Sequence, residues 1–163
     1  MSVVPIGPAV VNSSDGESFW MVGDRIRIII GGEQTNQSFS LLETLVFPGG
    51  GPPPHRHLRE SESYYILEGT LSVTIDGQTL AAGPGSFVHV PPAAVHTFRN
   101  EQDSQARMLV FVTPAGFENY FRVVGTPVNA ADAAPPPVTP DLIAALQRFA
   151  PEHHLEFLLP SDA

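Results

Sequence analysis

The chain has 163 residues, 42% of them apolar and 15% charged, enough to bury one sizeable core but not two. All eight basic residues are arginines, cysteine is absent and the formal charge is −9. A Schiff-base lysine, a lysine-anchored phosphate loop, disulfides, thiolate-held metals and the basic stripe that nucleic acid requires are all excluded.

Soluble proteins carry about 25% charged residues, so the neutral surface left here predicts burial against a second copy, a homodimer. Met1 to Val11 lacks a basic leader and is broken by Pro5 and Pro8. No later run reaches the roughly 18 apolar residues a bilayer needs. The expectation is a cytoplasmic protein without nucleic-acid or membrane partners.

From Ser18 to Val112 short apolar runs alternate with turn residues, the pattern of an all-β sandwich or barrel. The predicted strands are Phe19 to Val22, Arg25 to Ile30, Phe39 to Phe47, Glu62 to Leu67, Thr70 to Ile75, Phe87 to Val90, His96 to Arg99 and Arg107 to Val112. Arg25 and Arg27, alternating with isoleucines, mark an exposed face or a subunit rim. Glu68-Gly69 and Asp76-Gly77 read as tight hairpin turns in an antiparallel meander. Pro48 to Pro54 and Pro91-Pro92 lack ladder N–H groups and belong to loops or rims.

After Thr113-Pro114 the period changes. Phe117, Tyr120, Phe121 and Val124 form a helical stripe that Gly125 stops. Beyond a proline-rich connector, Ala130 to Pro137, Thr139 is the expected N-cap and Pro140 the first residue of a second helix, with Leu142, Ala145, Leu146 and Phe149 on its buried side. The organisation is one domain over 1–163: a β part at about 18–113 and a helical extension at about 114–163 that braces it.

Chemistry concentrates in Gly49 to Gly69, which holds His55, His57 and Glu62, and at His96. In a strand, residues two apart share a face, so His55 and His57 can aim at one point while Arg56 turns away. Glu62 can return toward that point after a short turn, and His96 would close the set from another strand. A His-x-His pair can equally be two partly exposed rings. Three of the four histidines before the C-terminal tail lie beside glycine- or proline-marked rims, which favours ligands. His153-His154 read as a solvated helix end.

These residues resemble the cupins. Gly49, His55, His57, Glu62 and Gly69 fit every interval of the first cupin motif, and Gly85, Pro91, His96 and Asn100 fit the second, with Ala93 in place of its inner glycine. The resemblance implies a double-stranded β-helix, a jelly-roll (RmlC-like) cupin barrel, with two short helices after it. It also implies one divalent transition metal, Mn, Fe, Ni, Co, Cu or Zn, held by His55, His57, Glu62 and His96.

Gly31 to Thr35, Gly116 to Glu118 with Phe121, Gly125 to Pro127 and Phe157 to Pro160 resemble small bacterial one-domain cupins that include quercetin 2,3-dioxygenases. That likeness implies a flavonol substrate opened by dioxygen, with Glu62 as metal ligand and catalytic base. A carboxylate in both roles calls for a raised pKa in an apolar mouth. By strand alternation Phe47, Tyr64, Phe98 and Phe111 are expected to bind substrate, alongside Phe87 and Met108 as walls. His89 is expected either to face the cavity as an acid/base group or substrate-binding contact, or to donate one hydrogen bond inside the core. The rival readings are a metal-dependent isomerase or lyase acting on a sugar or keto acid, and a non-catalytic small-ligand binder.

Overall fold

The computed structural model describes residues 7–129 and 134–158. Its strands are β1 (Glu17–Met21), β2 (Asp24–Ile30), β3 (Ser40–Val46), β4 (His55–His57), β5 (Ser61–Glu68), β6 (Leu71–Ile75), β7 (Gln78–Ala82), β8 (Phe87–Val90), β9 (His96–Arg99), β10 (Ala106–Thr113), β11 (Thr126–Pro127) and β12 (Leu155–Phe157). The helices are α1 (Gly32–Thr35), α2 (Glu118–Val124) and α3 (Pro140–Phe149), followed by a 3-10 turn at Pro151–His153. Two antiparallel sheets form a jelly roll. One runs β11-β1-β2-β3-β10-β5-β8 and the other β12-β4-β9-β6-β7.

Alternation builds the interior. On β3 the inward residues are Ser40, Leu42, Thr44 and Val46, and on β10 they are Ala106, Met108, Val110 and Val112. Leu42 stands opposite Val110 and Thr44 opposite Met108. Each buried large aliphatic side chain stabilises the fold by about 1.5–3 kcal/mol. Outward-facing Glu43 is instead gripped by Arg107 at 2.6 Å and by Arg27 at 3.4 Å, so the arginine-bearing face of β2 is a charged outer surface.

Asp76-Gly77 forms the expected tight hairpin. Ile75 pairs with Gln78, and both turn residues have positive φ, 46° and 83°. Glu68-Gly69 is not a hairpin: β5 pairs with β10 and β8, whereas β6 pairs with β7 and β9, so the chain crosses between sheets there. Gly69 has φ +76°, and a Cβ on it would lie 2.8 Å from Ala106 Cα, which makes glycine necessary at this corner. The middle of the chain is therefore a two-sheet winding and not a meander.

Both expected helices form. Thr139 caps α3 by accepting from the Leu142 N–H, and Pro140 opens it. Of its predicted apolar face only Leu146 is fully buried; Leu142 and Phe149 pack against the core half-buried, and Ile143, Leu146 and Gln147 border a cavity. The part of the connector at 130–133 and the motif residues Leu159 and Pro160 lie outside the described residues. Among the described residues no helix is long and apolar enough to cross a membrane.

Candidate metal centre

The short strand β4 buries His55 and His57 and turns Arg56 outward, where it meets Glu156 of β12 at 2.6 Å. His96 opens β9 as the direct partner of His55, and Glu62 sits near the start of β5 opposite Val112. Three strands from two sheets thus bring three imidazoles and one carboxylate together. One potential ligand atom from each lies within 4.8 Å of all the others, and all four residues are buried.

Hydrogen bonds fix how the rings point. His55 donates from Nδ1 to the Pro53 carbonyl at 2.9 Å, and His96 donates from Nδ1 to the Ala94 carbonyl at 3.0 Å. In a neutral ring this leaves Nε2 as a lone-pair acceptor. The His96 Nε2 nevertheless lies 3.0 Å from Glu62 Oε2, with His57 Nε2 3.6 Å from the same oxygen. Such a contact is held by a proton on the His96 Nε2, donated to Glu62, or by a metal cation between the two atoms. Both ring nitrogens of His57 are buried without a hydrogen-bond partner among the described residues, at a cost of about 1–3 kcal/mol per unsatisfied group. A divalent ion would draw the His96 and Glu62 atoms together and give one of the two His57 nitrogens a partner, so the donor set fits one.

Burial, reinforced by neighbouring His96, pushes the His55 imidazole down to about 3. Burial also lowers His57. Burial would raise the Glu62 carboxyl, but the His57 imidazole and the His96 hydrogen bond outweigh it and hold the carboxyl below the usual range. For His96 burial acts downward and is overcome by Glu62, leaving the ring raised. The expected rise for Glu62 is thus corrected: three rings and a hydrogen bond of 2.6 Å from the Tyr64 hydroxyl stabilise its ionised form.

Beside the cluster lies a cavity of about 200 Å³. His55 and Glu62 border it, Leu42, Met108, Val110 and Phe98 form its barrel wall, and Phe117, Tyr120 and Phe121 of α2 cover it. Ile143 and Leu146 of α3, with Leu155 and Phe157 of β12, complete the enclosure. The extension therefore supplies wall as well as bracing. Sequence reasoning missed this although the signal was present, since the stripe that identified α2 is the face that lines the cavity. Asp24 and Thr44, also in the lining, were missed because nothing in the sequence marks a polar residue on an inward strand face.

Of the residues expected at the substrate, Phe98 lines the cavity. Four expectations are overturned. Tyr64 is fully buried outside the lining, its hydroxyl donating to Glu62. Phe111 is 40% exposed on the outer face of β10, stacked on Phe39 at 5.0 Å. His89 is also exposed outside the barrel, with Nδ1 3.0 Å from Ser63 Oγ, so it faces neither the cavity nor the core. Phe47 follows the end of β3 and packs against Trp20 at 5.9 Å, away from the lining. The expected wall residue Phe87 is likewise exposed.

The second-motif residues hold the frame. Asn100, fully buried, donates to the Val46 and Ser104 carbonyls and accepts from the Gln102 N–H. Ala93, where the motif has glycine, has φ +67°.

The sequence of residues 43–112 matches the cupin domain family. The chain is a member of the cupin superfamily. This cupin is similar to quercetin 2,3-dioxygenase of Bacillus subtilis (strain 168), 31% identical over 121 residues that cover 74% of this chain and 35% of that protein. It is also similar to quercetin 2,3-dioxygenase of Aspergillus japonicus, 29% identical over 121 residues, 70% of this chain and 34% of that one. The cupin thus spans about a third of the length of these relatives. Its fold matches an RmlC-like cupin from Shewanella frigidimarina with a TM-score of 0.58 at 19% identity, covering 67% of this chain and 93% of that one.

Proposed function

We propose that this cupin is a metal-dependent dioxygenase acting on a small oxygen-rich aromatic such as a flavonol, with His55, His57, Glu62 and His96 holding one divalent transition metal. The observation that carries the reading is the convergence of four buried ligand atoms within 4.8 Å beside an aromatic-walled cavity. Bound there, the metal would supply Lewis acidity toward an enolate or phenolate oxygen and a partner for dioxygen.

The chain's own residues do the rest. Ionised Glu62 is the base that accepts the substrate's hydroxyl proton, and Tyr64 holds its Oε2 in place. Phe98, Phe117 and Met108 exclude water and present flat or polarizable surface to a planar ring. A sugar or keto-acid isomerase would need several fixed hydrogen-bonding groups, whereas this lining is largely apolar, with few polar side chains besides Asp24 and Thr44 away from the cluster. The same lining makes residues from the barrel and from the extension one functional unit, in keeping with a single domain. The outer aromatic face bearing Phe111 and Phe87 supports a homodimer, which sedimentation velocity would test.

The decisive experiment is oxygen uptake by metal-reconstituted protein with a flavonol. Turnover under argon would defeat the dioxygenase reading. Ligand-induced thermal stabilisation without any product would favour a binding module.

A further inference from the structure

At a distance from the four-residue cluster, the same cavity has a second polar spot. Thr44 is 4% exposed and lines the cavity, yet its hydroxyl makes no hydrogen bond among the described residues. Asp24, 6% exposed, lines it too. Its Oδ1 accepts from the Phe47 N–H at 3.1 Å, and the Gly51 amide also bonds to this carboxyl. Each carboxylate oxygen has two lone pairs, so acceptor capacity remains.

The register places the two residues together. Ile26 pairs with Thr44, and Asp24 lies two residues before Ile26 on the same inward face of β2. Asp24 and Thr44 are therefore diagonal neighbours, about 7–8 Å apart at the backbone, a gap that one ligand hydroxyl can bridge. The cluster is farther off. Along β10 the partner of Thr44 is Met108 and the partner of Glu62 is Val112, a separation of about 13 Å along the strand.

We propose that Asp24 and Thr44 form a second subsite that binds a hydroxyl on the end of the substrate remote from the metal cluster. The ligand O–H donates to the Asp24 carboxylate, and the Thr44 hydroxyl donates to the ligand oxygen. This deepens the oxygenase reading, on which its substrate class rests: an elongated aromatic with a metal-directed oxygen at one end and a phenolic hydroxyl at the other. An unbound apolar ring end would leave Thr44 unsatisfied, so the subsite discriminates against the deoxy analogue.

The subsite can be tested apart from turnover. Affinities of phenol and toluene for the full-length protein are measured by calorimetry in wild type, Thr44→Val, Thr44→Ser and Asp24→Asn. The phenol-to-toluene preference should fall about three- to tenfold in Thr44→Val, the worth of one hydrogen bond, and persist in Thr44→Ser. Asp24→Asn should weaken phenol while sparing toluene. An unchanged preference in Thr44→Val, or no phenol binding by wild type, overturns the subsite. Failure of flavonol turnover with the phenol preference intact would sink the oxygenase reading alone.

Discussion

The Tyr64 hydroxyl donates to Glu62 Oε2 at 2.6 Å, inside a wall where both residues are buried. The pair joins the metal cluster to the barrel interior, and burial together with adjacent Glu62 raises the Tyr64 phenol well above its ordinary range. Tyr64 therefore acts as a permanent donor. Tyr64→Phe should retain about one metal per chain while flavonol turnover drops about tenfold, or about 1.4 kcal/mol in barrier. Elemental analysis and oxygen uptake on the same sample would separate the two effects.

Among the described residues His57 has no hydrogen bond to fall back on. Removing it with His57→Ala should weaken metal affinity by more than the 10–100-fold typical of outer-shell changes. Purified wild type should carry about one divalent ion per chain and the variant little. Equal metal content in the two would refute the four-ligand set.

Ala93 bears a Cβ in a left-handed conformation, φ +67°, at the position the cupin motif gives to glycine. That conformation costs a non-glycine residue about 1–2 kcal/mol, partly offset because glycine has more freedom when unfolded. Ala93→Gly should stabilise the fold by about 0.5–1 kcal/mol in chemical denaturation, without altering metal content.

Burial pushes the Asp24 carboxyl from the ordinary aspartate range up to about 6, against the opposing hydrogen bonds of the Phe47 and Gly51 amides. The folded state thus holds its proton more tightly than the unfolded state. Asp24 contributes stability that is fully present below about pH 4 and lost as pH rises through about 6, up to about 3 kcal/mol in total. Unfolding free energies of wild type and Asp24→Asn, compared between pH 4 and 7, should converge at the acid end and diverge at the neutral end, with the variant the more stable.

Strand positions were legible wherever one face is buried, because inward and outward residues alternate. Thus β8 and β9 have the predicted ends and β3 differs by one residue at each end. The strand β7 escaped notice: Gln78, Thr79, Leu80 and Ala81 are all exposed, and an edge strand with two wet faces leaves no period to read. The β12 segment is three residues long and carries too little pattern to find. The direction of a face was harder to read than the strand itself. Met108 and Phe111, both expected at the wall, have opposite parity on β10 and cannot both face the cavity; packing chose Met108. On β8 the valines turn inward, taking Phe87 and His89 out together. The cluster itself was legible because its residues are rare in this chain and their spacing is specific, whereas the polar pair Asp24 and Thr44 gave no such signal.

The strand bearing His55 and His57 takes one of its two backbone neighbours from β12: Leu155 pairs with His57 and Phe157 with His55. The Arg56–Glu156 clasp on that seam joins residues 100 positions apart. During vectorial synthesis the histidine strand leaves the ribosome long before the piece that seals it. Maturation of the centre is therefore tied to docking of the tail, and an ion arriving earlier would meet imidazoles still open to water.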